Sequence, residues 1–153
     1  MTATSADPMP ARGRPVDPRL FANLDPLQLS GSRCADCGTV VFPAISGCPC
    51  CSSASVAVVA LPSTGTLWSW TVQHFEPKLP YVRPAGGFEP FALGYVDLGV
   101  VLVESRLVGA SNGFRIGQQV RLVSLPIPPA PGEAEPVLTF AFAPAEGASD
   151  GVV

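Results

Sequence analysis

All five cysteines of this chain lie between Cys34 and Cys51, and their spacing constrains the fold more than any other feature. They read Cys34-Ala-Asp-Cys37-Gly38, then, after ten residues, Cys48-Pro-Cys50-Cys51. Two Cys-x-x-Cys knuckles present four thiolates to one tetrahedral ion, and zinc prefers that set. An iron centre of the same four-thiolate geometry is the main competitor. A glycine directly after the second ligand lets the chain turn back on the sulfurs. Cys34, Cys37, Cys48 and Cys51 are the expected ligands, although Cys50 could replace Cys51 as the fourth. Four protein ligands leave no open position, so the metal is expected to be structural. A disulfide framework would not crowd every thiol into one short segment, and the N-terminus shows no apolar export signal. Reduced thiols in a cytoplasmic protein are the expectation.

The rest of the chain reads as β. Strands are expected at Ser55–Leu61, Gly65–Phe75, Phe91–Asp97, Val100–Leu107, Gln119–Leu125 and Val137–Phe142, with Pro- and Gly-rich connectors. In Gly65–Phe75 strict alternation places Trp68, Trp70, Val72 and His74 on one face. Five short strands after the metal module hide their edges by closing into a barrel, and the five-stranded OB-fold is the economical candidate, with a β-sandwich as the alternative. The chain therefore divides into a disordered tail at 1–19, a zinc ribbon with a short helix or apolar strap at 20–61, an OB-fold domain at 62–144, and a second disordered tail at 145–153. No run of about twenty apolar residues exists, so no membrane span is expected.

Chemistry is hard to find in the barrel. His74 is the single histidine and reads as a core-lining residue at a strand end. Glu104 and Arg106 share a strand face and read as a surface pair. No nucleophile motif, phosphate loop or dinucleotide fingerprint occurs, so no catalytic residue is assigned. Charged residues are only 14% of the chain against 47% hydrophobic, which leaves apolar surface for a partner. The connector Glu76–Pro90 (EPKLPYVRPAGGFEP) is long, proline-stiffened and carries Gly86-Gly87. A net charge of −3 with no basic stripe argues against nucleic acid. A single-stranded nucleic-acid module remains the alternative, because Trp68, Trp70 and several Phe could stack bases.

The run GSRCADCGTVVFP, the CPCC knuckle, GTLWSWTVQHF, the Pro-Tyr loop and VVLVESRLVG together resemble a known family. It is the zinc-ribbon plus OB-fold family first catalogued as domain-of-unknown-function 35, and the resemblance covers roughly residues 20–144. It implies a mainly β protein, a rubredoxin-like ribbon followed by the barrel, with one structural zinc. It also implies a non-catalytic accessory subunit of a thiolase-like acyl-CoA complex performing retro-Claisen thiolysis or retro-aldol cleavage. The thiolase-fold partner would supply the reacting residues, and this chain would border the acyl or CoA channel. A CoA thioester would then be a ligand of the complex. Lys78, Tyr81, Arg83 and Phe88 in the long loop are the expected contacts to partner or acyl-CoA. The departure from the family pattern is the extra Cys50.

Overall fold

The computed structural model describes residues 13–145. Among them the chain is almost entirely β, with one single-turn 3-10 helix at Pro18–Leu20 capped by the Asp17 carboxylate. Strand β1 is Arg14–Pro15, β2 Phe21–Leu24, β3 Leu27–Cys34, β4 Val40–Val41 and β5 Val56–Ala60. The second half supplies β6 Thr64–Gln73, β7 Phe91–Asp97, β8 Leu102–Leu107, β9 Gln119–Ile127 and β10 Val137–Pro144.

The last five strands close on themselves. β6 pairs antiparallel with β7, and β7 with β8; β8 meets β10 in parallel, β10 turns back along β9, and β9 returns to β6. This is a five-stranded OB-like barrel, as the strand pattern implied, and closure removes the free edges. Its interior holds Leu67, Val96, Val103, Leu107, Val120, Leu122 and Phe142. No helix spans the β8–β9 connection; turns occupy it, and Phe114 inserts edge-on against Trp70, ring centres 6.0 Å apart. A phenylalanine thus seals the barrel where the OB-fold commonly places a helix.

The first half is a small antiparallel sheet in which β3 pairs with β2, β4 and β5. Leu29 and Leu61, from the strand and exit of this module, are buried with the barrel residues in one cluster. Phe42 meets Phe140 edge-on at 5.5 Å. Ribbon and barrel therefore share a core, and burial of this apolar surface couples them.

Four expectations change. The segment expected as a helix or strap forms the β2–β3 hairpin instead, because Phe21 finds a cross-strand partner in Leu29 and Pro26 sits at the reversal. Of the N-terminal tail expected to be disordered, residues 1–12 lie outside the described residues, but Gly13 onward is ordered. Arg14 and Pro15 add to β10, Val16 N–H donates to Leu138 O at 2.7 Å, and Arg14 pairs with Glu133 at 2.7 Å. The C-terminal tail from 146 lies outside the described residues. Third, a bulge in β6 between Leu67 and Ser69 separates the two tryptophans. Leu67 takes the interior position and is fully buried, Trp68 is 57% exposed on the outer face, and Trp70 returns inward. One extra residue in a strand reverses the side-chain direction that alternation predicts. Finally, His74 lies just past the end of β6 and is exposed, not core-lining.

Candidate metal centre and the long loop

The two knuckles fold alike. In the first, Cys34 N–H donates to Thr39 O at 2.9 Å and Gly38 N–H to Cys34 O at 3.0 Å. In the second, Cys48 N–H donates to Ser53 O at 2.8 Å and Ser52 N–H to Cys48 O at 3.0 Å. Gly38 and Ser52 hold equivalent places in the two turns, and both have left-handed backbones, with φ of 75° and 61°. The turn needs that conformation whatever residue stands there. Serine adopts it at a cost of about 1–2 kcal/mol that glycine avoids. Ser52→Gly is therefore expected to stabilise the protein, offset by glycine's greater unfolded-state entropy to a net gain of about 0.5–1 kcal/mol. Equilibrium urea unfolding of the metal-loaded protein measures it, and a lower midpoint would show that Ser52 is held by something other than turn geometry.

The four thiols converge. The Sγ atoms of Cys34, Cys37, Cys48 and Cys51 all lie within 4.8 Å of one another. Cys34 and Cys51 sulfurs are 3.6 Å apart, and those of Cys37 and Cys48 3.5 Å. Sulfurs at about 2.3 Å from a tetrahedral ion are separated by about 3.8 Å, so the cluster fits a four-thiolate metal. Cys48 and Cys34 are buried; Cys37 and Cys51 are at the surface. Cys50 is exposed and its sulfur is outside the cluster, so the geometry favours Cys51 as the fourth member. The side chain of Thr39, with its Oγ1 3.1 Å from Cys37 Sγ, is the leading cause that brings the Cys37 thiol down to about 6; the Thr39 backbone and Cys48 add to it. At Cys51 the Ser53 amide pulls the pKa down, but the crowding thiols of Cys34, Cys37 and Cys48 outweigh it and leave it at about 12. Thiols that share a small volume resist ionising together, and a divalent cation relieves that repulsion. Around them, Ser53 Oγ donates to Asp36 Oδ2 and then accepts from Ser55 N–H at 3.0 Å, tying the knuckles to each other.

The second feature is the connector from β6 to β7, residues 74–90. It folds over the outer face of the barrel. Tyr81 stacks on Phe91 at 6.3 Å and meets Phe88 edge-on at 6.3 Å, while Phe88 and Phe91 are 6.1 Å apart. Arg83 grips Glu76 through two hydrogen bonds, Nε to Oε1 at 2.7 Å and a terminal nitrogen to Oε2 at 2.5 Å. That pairing holds the Glu76 carboxyl below its ordinary pKa. Of the loop residues singled out from sequence, Tyr81 and Phe88 thus pack on the barrel, Arg83 is engaged within the loop, and Lys78 is exposed with no ion pair among the described residues.

Arg106 was not singled out as a site, yet it is the most unusual cation. Its guanidinium carbon lies 3.7 Å above the Phe91 ring, and it makes no ion pair with Glu104. Glu104 instead accepts from the Tyr95 hydroxyl at 3.4 Å. Arg106 Nε is shut off from solvent and has no hydrogen-bond partner among the described residues. Burial lowers its pKa from the ordinary arginine value. A sequence signal did exist: Arg106 alternates with the buried Ser105 and Leu107 directly opposite Leu93, but the stacking depends on where the loop lands.

Comparison with known proteins agrees with this architecture. Residues 24–57 match the ChsH2 rubredoxin-like zinc ribbon domain, and residues 58–124 match the ChsH2 C-terminal OB-fold domain. The chain is 35% identical over 95 residues to the benzoylsuccinyl-CoA thiolase subunit BbsA of Thauera aromatica. That match takes in 61% of this chain and 61% of the relative, so under two-thirds of the relative's length is spanned. Among solved structures, a chain of the Ltp2-ChsH2(DUF35) aldolase is similar, at 29% identity and a TM-score of 0.56, covering 76% of this chain and 84% of that one. With a ribbon and a barrel that match adjoining ChsH2 domain models from residue 24 to residue 124, the chain belongs to the ChsH2-type zinc-ribbon plus OB-fold family.

Proposed function

We propose that this chain is a non-catalytic accessory subunit of a thiolase-like acyl-CoA complex, with one structural zinc held by Cys34, Cys37, Cys48 and Cys51. The observation that carries the reading is the similarity to a benzoylsuccinyl-CoA thiolase subunit, together with the likeness to a chain of a solved Ltp2-ChsH2(DUF35) aldolase. The site chemistry supports it. A four-thiolate cluster offers no open coordination position, and His74 stands exposed beyond a strand end, with no oriented acid–base pair among the described residues. The reacting groups for thiolysis or retro-aldol cleavage then belong to a thiolase-fold partner in the cytoplasm. This chain borders the acyl or CoA channel and stabilises the partner. No helix among the described residues is long and apolar enough to cross a membrane.

The test is recovery of the tagged chain from its native cell with bound proteins identified by mass spectrometry, followed by acyl-CoA cleavage assays of the partner with and without it. A stoichiometric thiolase-fold protein whose turnover depends on the chain supports the reading. Recovery alone, or with single-stranded nucleic acid, overturns it. Within that complex the loop carries the channel role, with Lys78, Tyr81, Arg83 and Phe88 as its contacts. Replacing residues 78–88 by a short Gly-Ser link is expected to lower partner turnover by at least about tenfold, the scale at which misplacing reacting groups is felt, with zinc content unchanged. Unaltered turnover in the assembled complex would remove the loop from the mechanism.

A further inference from the structure

The outer face of β6, β7 and β8 carries exposed aromatic and aliphatic side chains among polar ones, and nothing in the described chain covers most of it. Outward positions along these strands are Trp68, Ser69 and Thr71 on β6, Leu93 and Tyr95 on β7, and Leu102, Glu104 and Arg106 on β8. At one end Trp68 meets Tyr95 edge-on at 6.3 Å, and Trp68, Tyr95 and Leu102 are 57%, 42% and 43% exposed. At the other end the loop aromatics cover Phe91, and Arg106 lies on its ring. Between them runs a groove lined by Ser69, Thr71, Leu93, Tyr95 and Glu104.

We propose that this face is the docking surface for the thiolase-fold subunit, with Trp68 and Tyr95 as apolar anchors and a partner carboxylate received by Arg106. The proposal rests on the accessory-subunit reading above and adds the surface and its chemistry. Charge complementarity selects the occupant. Arg106 is a half-buried cation whose Nε is shut off from solvent with no hydrogen-bond partner among the described residues, and a docked oxyanion would complete the fork. Its stack on Phe91 holds the fork in one orientation, which suits a planar carboxylate. Trp, Tyr and Arg are the side chains that dominate interface energetics when a surrounding rim excludes water. A single-stranded nucleic acid fits less well, since Glu104 and Asp97 stand on the same face and repel a phosphate backbone.

The experiment measures, by calorimetry, binding of the zinc-loaded chain to the thiolase-fold protein that the tagged chain recovers. Trp68→Ala and Arg106→Gln are each expected to weaken Kd about 30-fold, the hot-spot scale. Arg106→Lys, which keeps charge but loses the fork, is expected to lose about tenfold. Raising salt should weaken the parent chain more than Arg106→Gln. Val58→Thr, on the ribbon strand β5 where Val58 is 71% exposed, should leave Kd unchanged. Zinc content and melting temperature establish that each variant is folded. Unchanged affinity in both Trp68→Ala and Arg106→Gln, or weakening confined to Val58→Thr, would overturn the surface while leaving the accessory reading intact. Arg106-dependent binding of free CoA, or Trp68-dependent binding of a fluorescent DNA strand, by the isolated chain would also overturn it. If no thiolase-fold protein is recovered at all, the accessory reading itself falls, and the docking surface with it.

Discussion

Replacing Cys37 by serine is expected to abolish stoichiometric zinc and to unfold the ribbon, residues 21–60. The reason is the size of the module. β4 has two residues and β5 five, and much of β5 is exposed, so the ribbon holds little apolar surface of its own. Structural zinc in modules of this kind contributes on the order of 10–16 kcal/mol in apparent binding free energy, far more than so small a core supplies. The effect should not stop at the ribbon. Leu29 and Leu61 are buried among barrel residues, and Phe42 packs on Phe140. Once the knuckles release these side chains, the barrel loses one wall and its melting temperature should fall. Metal analysis with amide hydrogen exchange tests both parts. The expected pattern is loss of protection throughout β3 to β5 and partial loss in β6 to β10. Full protection of β3 in a zinc-free Cys37→Ser protein would mean that packing, and not the metal, holds the ribbon.

The second large effect is expected at Phe142. It is fully buried and sits where the barrel closes, opposite Leu107 on β8 and Leu122 on β9. The parallel β8–β10 contact that completes the circle involves few residues, so side-chain packing there matters more than the ladder. Phe142→Ala removes a buried ring and leaves a cavity, a change that costs about 3–5 kcal/mol. A single domain has about 5–15 kcal/mol in total, so the variant should be marginal at room temperature. Urea unfolding followed by tryptophan fluorescence measures the loss, since Trp70 borders the same core. A loss under about 1 kcal/mol would indicate that the closure tolerates repacking, and that the barrel is held mainly by its antiparallel ladders.

How much of this was legible beforehand follows the range of the interactions involved. The four-thiol cluster was legible because a knuckle is local: two-residue spacing and a following turn bring two thiols together without reference to the rest of the chain. The barrel strands were legible because half-buried β-structure imposes period two on the chain, and β7 was bounded correctly at Phe91–Asp97. Spacing favoured Cys51 over Cys50 while leaving Cys50 open, and the second knuckle copies the first with Ser52 in the left-handed position. The fate of the tryptophans was not legible. Alternation put Trp68 and Trp70 together, but pairing with β7 inserts a bulge that leaves one outside and one within. β1 was invisible, because two residues carry no period and become a strand only where β10 offers an edge. Arg106 looked like half of a surface pair until the loop brought Tyr81 and Phe88 to the ring beneath it. Sequence alone determined the two cysteine knuckles and the β character, both products of short-range spacing. Tertiary structure decided which aromatics face water and that Arg106 Nε lacks an acceptor among the described residues, because those depend on register and loop placement between residues far apart in the chain.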